Sequence, residues 1–405
     1  MNSILNITKE SVLHRALADV LKHADVEIGG NRPWDIHLNH PKVPDRVFSM
    51  GSLGLGEAYM EGHWETQQLD ELFNHILRAH LDQKVRPLRI AVQALQSRIF
   101  NLQSTKRAWK VGEMHYDLGN DFYEAMLDPR MTYTCGYWEG GATTLAEAQE
   151  AKLELVCRKL ELKSGMRLLD IGCGWGSLMS YAAEHYDVEC LGVTISKEQA
   201  DWAKTRYAGM PLEFRLQDYR TLNEPFDRIA SIGMFEHVGH KNYRTYMEVA
   251  RRCLKDDGLF LLHTIGKNQR HNGTDAWIDK YIFPNGDLPS IGQIGDATEG
   301  LFVVEDLQNF GADYDKTLMA WYSNFEAAWP RFKEQYGESF FKMWRYYLLS
   351  CAGGFRARDI QLWQWVLSKE GVVGGYRRPE PVAKSTALPL TPVGFDGHFS
   401  IGGIT

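Results

Sequence analysis

The sequence predicts an α/β protein, a doubly wound and mostly parallel sheet with a small helical N-terminal domain in front of it. Three observations predict this. From about residue 153 onward, short apolar runs alternate with helical patterns. One of those runs, Leu168-Leu169-Asp170-Ile171, passes straight into the glycine-rich turn Gly172-Cys173-Gly174-Trp175-Gly176 and then a helical stretch. The first 80 or so residues show helical patterns only.

Taken in order, helices are expected over 11–23, 44–60 and 69–78. Gly51-Ser52-Leu53-Gly54-Leu55-Gly56 has the look of a phosphate cradle but lacks the Gly-Lys-Ser/Thr ending, so it reads as a turn or a close-packed helix start. Residues 83–112 carry seven Lys or Arg and no Asp or Glu. Leu88, Val92, Leu95, Ile99 and Leu102 share one helical face there. Such a segment can lie on an anionic lipid surface, or serve as a connecting helix whose apolar face packs on its own protein.

A helix over 145–162 precedes the first strand, 167–171. Strands follow at 189–194, 212–216, 226–232 and 258–264, with helices opening at Ser196 and spanning 243–253. Ser196 with Gln199 has capping-box spacing. From 375 the chain turns Pro-, Gly- and Ser-rich and reads as an extended tail. The resulting boundaries are 1–100 for the helical N-terminal domain, 101–115 for a linker, 116–378 for the catalytic domain and 379–405 for the tail.

Composition narrows the function. Hydrophobic content of 44% and charged content of 24% are ordinary for a globular protein, and a net charge of −7 argues against nucleic acid as a partner. Six scattered cysteines without a Cys-x-x-Cys pair indicate neither disulfides nor a zinc site, which suits a reducing cytoplasm. No signal-peptide pattern opens the chain, and no apolar run nears the ~20 residues that span a bilayer. Any membrane contact is therefore expected to be peripheral.

In this architecture ligands sit at the C-terminal ends of the strands. Polar groups gather there: Asp170 ends strand one, Thr194 ends strand two with Gln199 beyond it, and Gln217-Asp218-Tyr219 follow strand three. Gly233-Met234-Phe235-Glu236-His237 follow strand four, and His263-Thr264-Ile265-Gly266 end strand five. Thr194 and Gln199 can bond a ribose, and Tyr219 can stack on an adenine. A dinucleotide site would place its third glycine at 177, where Ser177 stands; after Gly172 and Gly174 the third glycine, Gly176, comes one residue early. This spacing resembles instead the first motif of S-adenosylmethionine-dependent methyltransferases.

Taken together, the motifs resemble the cyclopropane-fatty-acyl-phospholipid synthase family. They include Glu113-Met114-His115-Tyr116-Asp117-Leu118-Gly119-Asn120, the glycine turn, Val193-Thr194-Ile195-Ser196-Lys197-Glu198-Gln199, and Met234-Phe235-Glu236-His237-Val238-Gly239. Leu262-His263-Thr264-Ile265-Gly266, Tyr281-Ile282-Phe283-Pro284-Asn285-Gly286, Phe310-Gly311-Ala312-Asp313-Tyr314 and Phe355-Arg356-Ala357-Arg358-Asp359 continue the match, which runs from about residue 10 to 370.

The resemblance implies a Rossmann-like methyltransferase sheet and transfer of the S-adenosylmethionine methyl to a cis double bond of a phospholipid acyl chain. Loss of a proton to bound bicarbonate then closes a cyclopropane ring. By motif, Cys135, Glu236, His263, Ile265 and Tyr314 map to the bicarbonate site. Tyr133, Thr134, Asp170, Gly172, Cys173, Gly174, Gly176, Thr194, Gln199, Gln217, Asp218 and Tyr219 are the residues expected to hold the cofactor. The family also implies a lipid-engaging N-terminal domain, a homodimer, and a cytoplasmic enzyme working transiently at the inner face of the membrane. Two alternatives stand beside this: a fatty-acid C-methyltransferase giving a branched product, and a catalytically silent lipid-binding homologue.

Overall fold

The computed structural model describes residues 12–81, 118–270 and 273–380. The basic amphipathic stretch, the motif residues 113–117 and the tail from 381 lie outside the described residues. The N-terminal part runs α1 (Val12–Lys22), β1 (His37–Leu38), α2 (Val43–Met50), α3 (Ser52–Met60), β2 (Trp64–Glu65) and α4 (Leu69–Arg78). Where one helix was expected over 44–60, the chain makes two. Gly51, at φ 61°, breaks the helical path between them. Gly54 fits where a Cβ would lie 2.3 Å from the Arg46 carbonyl oxygen, so the glycine-rich run is a close-packed helix start.

The rest comprises α5 (Asn120–Met126), α6 (Leu145–Lys159), β3 (Arg167–Ile171), α7 (Ser177–Tyr186), β4 (Glu189–Thr194), α8 (Lys197–Arg206), β5 (Leu212–Leu216), β6 (Phe226–Ile232), α9 (Tyr243–Cys253) and β7 (Leu254–Lys267). After it come α10 (Ala276–Tyr281), α11 (Ile291–Thr298), β8 (Val303–Asn309), α12 (Gly311–Ala328), α13 (Lys333–Arg356) and β9 (Ile360–Ser368). Helix α6 starts at a full capping box, Thr144 with Glu147. At α8 only half of the expected box forms. The Ser196 hydroxyl accepts from the Gln199 backbone N–H, while the Gln199 side chain turns to Thr194.

Seven strands form one sheet in the order β5-β4-β3-β6-β7-β9-β8. The first five are parallel, and β9 runs antiparallel to both β7 and β8. The four strands β3–β6 match their predicted ranges, but β7 extends at both ends and the β8–β9 pair was not foreseen. The chain winds outward from β3 to β5 and then returns to place β6 on the other side of β3. That reversal opens the crevice at the strand ends where ligands bind.

Strand alternation sorts the core. Leu169, Ile171, Phe260 and Leu262 face α9, whereas Leu168, Leu259, Leu261 and Val366 face α6 and α7. A third apolar cluster joins the N-terminal helices to α12 and α13 through Leu17, Val47, Leu72, Trp321 and Trp344. Arg356 of α13 ties that junction by bonding Asp315 at 2.9 Å, Asp70 at 2.6 Å and Glu71 at 2.7 Å. Among the described residues, no helix is long and apolar enough to cross a membrane.

Candidate active site

Every residue expected to hold the cofactor, except Gly176, lines one cavity at the C-terminal ends of β3, β4, β5 and β6. Gly176 lies behind it, where a Cβ would come 2.8 Å from the Phe214 ring. The turn itself is built on positive φ. At Gly172, φ is 87° and a Cβ would fall 2.6 Å from the Met234 side chain, so the backbone reaches the cavity only without a side chain. Helix α7 begins at the end of this turn and brings free backbone N–H groups and Ser177 to the cavity wall.

The cavity's polar groups are mostly held by protein partners. Thr194 Oγ1 donates to Gln199 Oε1 at 3.2 Å and accepts from the Ser196 backbone N–H at 3.1 Å. Asp218 accepts from Arg220 through backbone and guanidinium, at 2.9 and 2.8 Å. Tyr219 lines the cavity with its ring tilted on Tyr246 at 4.9 Å and the Arg220 guanidinium over its face at 5.0 Å. Burial lifts the Asp170 carboxyl to about 7, a rise moderated by Lys152.

Lys152 was not singled out from sequence. It is fully buried, donates to Thr134 Oγ1 at 3.0 Å, and is lowered by burial to about 8. Its signal was available: Leu145, Ala148, Gln149, Lys152, Val156 and Lys159 recur at helical spacing on the buried face of α6. His237 was also passed over; it lines the cavity and burial drops it to about 4.

The second group of residues, Cys135, Glu236, His263, Ile265 and Tyr314, does not line that cavity, and all but Ile265 are buried. Glu236 Oε1 accepts from the Ile265 backbone N–H at 2.7 Å, while Oε2 is buried without a hydrogen-bond partner among the described residues. Burial raises this carboxyl to about 7. His263 is 1% exposed; its Nδ1 meets Gln364 Nε2 at 3.1 Å, and its Nε2 is buried without a hydrogen-bond partner among the described residues. Burial holds its imidazole neutral, well below the usual range. Tyr314, packed on Phe355 and Trp321, is kept a neutral phenol by burial and by the nearby Cys135 and Glu236.

Cys135 is fully buried, and its thiol donates to the Gly136 carbonyl at 3.1 Å. Burial, helped by Asp313, pushes it well up, so it is a thiol and not a thiolate. Its loop is pinned from α12: the Gly136 backbone N–H and Trp138 Nε1 both donate to Thr317 Oγ1, at 3.1 and 2.9 Å.

The two groups touch. Tyr133 and Thr134 line the cavity immediately before Cys135. The Tyr133 ring packs on Trp321 at 5.1 Å, and Trp321 packs on Tyr314 at 5.9 Å. On the other side Gly233, also in the cavity wall, donates its backbone N–H to the His263 carbonyl at 3.0 Å. Aromatic faces and paired backbone thus fill the space between cofactor cavity and buried polar group. Two buried, partnerless polar atoms in a native core call for a further group to satisfy them.

Comparison with known proteins follows the same division. A family model described as mycolic acid cyclopropane synthetase matches residues 103–365. The chain is similar to a cyclopropane-fatty-acyl-phospholipid synthase of Escherichia coli, 54% identical over 365 residues, 90% of this chain and 95% of the relative. Among solved structures it resembles the cyclopropane synthase MmaA2 from Mycobacterium tuberculosis, with TM-score 0.62 and 34% identity over 64% of this chain and 98% of that one. It also resembles mycolic acid cyclopropane synthase CmaA1 complexed with SAH and CTAB, with TM-score 0.61 and 36% identity over 64% of this chain and 98% of that one.

Proposed function

The chain belongs to the mycolic acid cyclopropane synthetase family, and from that membership we propose that it acts as a cyclopropane-fatty-acyl-phospholipid synthase. It is an S-adenosylmethionine-dependent methyltransferase whose acceptor is a cis double bond in a phospholipid acyl chain. The observation that carries the finer reading is the pairing of a cofactor cavity with a buried, partnerless Glu236 Oε2 and His263 Nε2 just beyond it.

The overall reaction moves the sulfonium methyl to one alkene carbon, leaving S-adenosylhomocysteine and a carbocation. Loss of a proton from that methyl and closure of the C–C bond give the ring. An alkene is a weak nucleophile, so the protein contributes position, dryness and charge stabilisation. Tyr133, Trp321 and Tyr314 present aromatic faces between the two ends of the site, each worth ~2 kcal/mol to a desolvated cation. A buried aromatic wall also keeps out water, which would trap the cation as an alcohol.

Bicarbonate, bound at the inner group, would supply a small base for the methyl proton. The residues fit it. Glu236 Oε2, when ionised, accepts the ion's hydroxyl, and His263 Nε2 with the Tyr314 hydroxyl offers donors to its oxygens. Cys135 serves through the backbone, since its thiol is already committed to Gly136, and the Ile265 backbone N–H acts through Glu236, whose Oε1 it holds at 2.7 Å.

For the remainder of the molecule we propose the 1–100 region as lipid-engaging, 101–115 as linker, 116–378 as the catalytic part and 379–405 as a tail. The basic stretch at 83–112 supports contact with an anionic leaflet. A homodimer in the cytoplasm, visiting the inner face of the membrane, completes the reading. Expression in a host lacking cyclopropane lipids, followed by mass spectrometry of extracted lipids, tests it. The expected product gains one CH2 and resists ozonolysis; an ozonolysis-sensitive, methyl-branched product or unchanged lipid would refute ring formation.

A further inference from the structure

On the side of the sheet that faces α6, three polar side chains meet inside the apolar core. Lys159, at the C-terminal end of α6, has no exposed side-chain surface. Its Nζ donates to Gln364 Oε1 at 2.8 Å. Gln364 sits in the middle of β9, fully buried and directly across from His263 in the register of β7 and β9. Its Nε2 lies 3.1 Å from His263 Nδ1. None of the three residues reaches the cofactor cavity.

The hydrogen-bond inventory of these groups fixes a direction. Burial lowers Lys159 to about 7 against the pull of Asp306; in its ammonium form, which has donors and no acceptor, it takes the amide oxygen of Gln364 and leaves the amide N–H2 facing the imidazole. A neutral histidine carries one N–H. Since Nδ1 must accept from Gln364, the ring proton belongs on Nε2, the buried atom that has no hydrogen-bond partner among the described residues. Reversal of the amide would put oxygen against the imidazole and move the ring proton to Nδ1, which leaves Nε2 an acceptor.

We propose that Lys159 and Gln364 are positioning residues that lock His263 as the Nε2–H tautomer, so that it presents a donor to the anion at the inner site. This rests on the assignment of His263 to that site. Behind Lys159, Asp306 Oδ2 lies 3.7 Å from Nζ and is itself gripped by Arg378 at 2.5 to 3.0 Å. Arg378 belongs to the segment that follows β9, so the relay reaches from the protein's C-terminal part to the reacting end of the site. The Tyr376 hydroxyl adds a bond to the Lys159 carbonyl at 3.0 Å, holding the helix end in register. A buried lysine costs free energy to place, and the residue it orients gives that placement a purpose.

The test is the 15N spectrum of histidine-labelled full-length protein with bicarbonate present, with the His263 signals identified by their loss in His263→Leu. The expected spectrum shows Nδ1 unprotonated and Nε2 protonated. A protonated Nδ1 in the wild type overturns the proposal, whatever the variants do. Lys159→Met, close in length and without charge, should populate the other tautomer and lower turnover tenfold or more, with S-adenosylmethionine affinity within twofold. Gln364→Leu should do the same. A Lys159→Met protein that keeps a pure Nε2–H signal and normal turnover would also overturn it. If His263→Leu itself kept wild-type turnover, the fault would lie with the inner-site assignment and not with the relay.

Discussion

The two ends of the site are built from different halves of the sheet and by different means. The cofactor end uses the parallel strands β3 to β6, a glycine turn and a helix start, and its side chains mostly satisfy one another. The inner end uses β7, the loop after β6 and the helix α12, and leaves Glu236 Oε2 and His263 Nε2 buried and open. One end therefore selects its ligand by backbone shape. Under the proposed function, the other keeps an acceptor and donors in a dry place for a small anionic base. The contrast predicts that substitutions at each end fail in separable ways.

The largest effect is expected at Glu236. Glu236→Gln keeps the size and an acceptor for the Ile265 N–H but loses the ionised acceptor. Turnover should fall by ~10²-fold or more, while S-adenosylmethionine binding by calorimetry stays within twofold. Equal losses of turnover and cofactor affinity would merge the two ends. At the other end, Gly172→Ala puts a Cβ against Met234 at a φ of 87°. It should cost the fold ~1–3 kcal/mol and weaken cofactor binding tenfold or more. Turnover at saturating cofactor should drop far less than in Glu236→Gln.

A smaller effect sharpens the contrast through pH. The folded state holds the Glu236 proton up to about 7, whereas an unfolded chain releases it near 4.5. Between those values the native state binds more protons, so stability falls as pH rises through this window. The loss is on the order of 3 kcal/mol at most. Glu236→Gln should therefore be less active yet more stable than wild type at pH 8, with the gap in melting temperature closing toward pH 4.5. The same window governs activity in the opposite sense, because the ionised acceptor forms only as pH climbs toward 7 and above.

The cofactor end was legible in the sequence because its determinants are local. Asp170 to Gly176 carry their geometry in a few consecutive residues, and β3, β4 and β6 are short, mostly buried strands of the kind a sheet covered on both faces demands. The inner end is not local. Cys135, Glu236, His263 and Tyr314 come from four distant segments, and only resemblance to a family drew them together. The β8–β9 pair escaped notice for a related reason. Strand β9 is buried on both faces and includes two glutamines, so it shows no alternation, and its role depends on lying antiparallel to β7. Gln364 and Lys159 look misplaced within apolar patterns until the fold sets them side by side. Both were unreadable from spacing alone, although Lys159 and Lys152 stand seven residues apart on one buried face of α6.

The proposed function requires that the inner end bind a small anionic base independently of the cofactor cavity. The direct measurement is turnover in carbonate-depleted buffer, with bicarbonate added back, for wild type and Glu236→Gln, alongside S-adenosylmethionine affinity in each condition. Wild-type turnover should collapse on depletion and recover on addition, Glu236→Gln should recover little, and cofactor affinity should not move. Undiminished wild-type turnover without bicarbonate would contradict the claim.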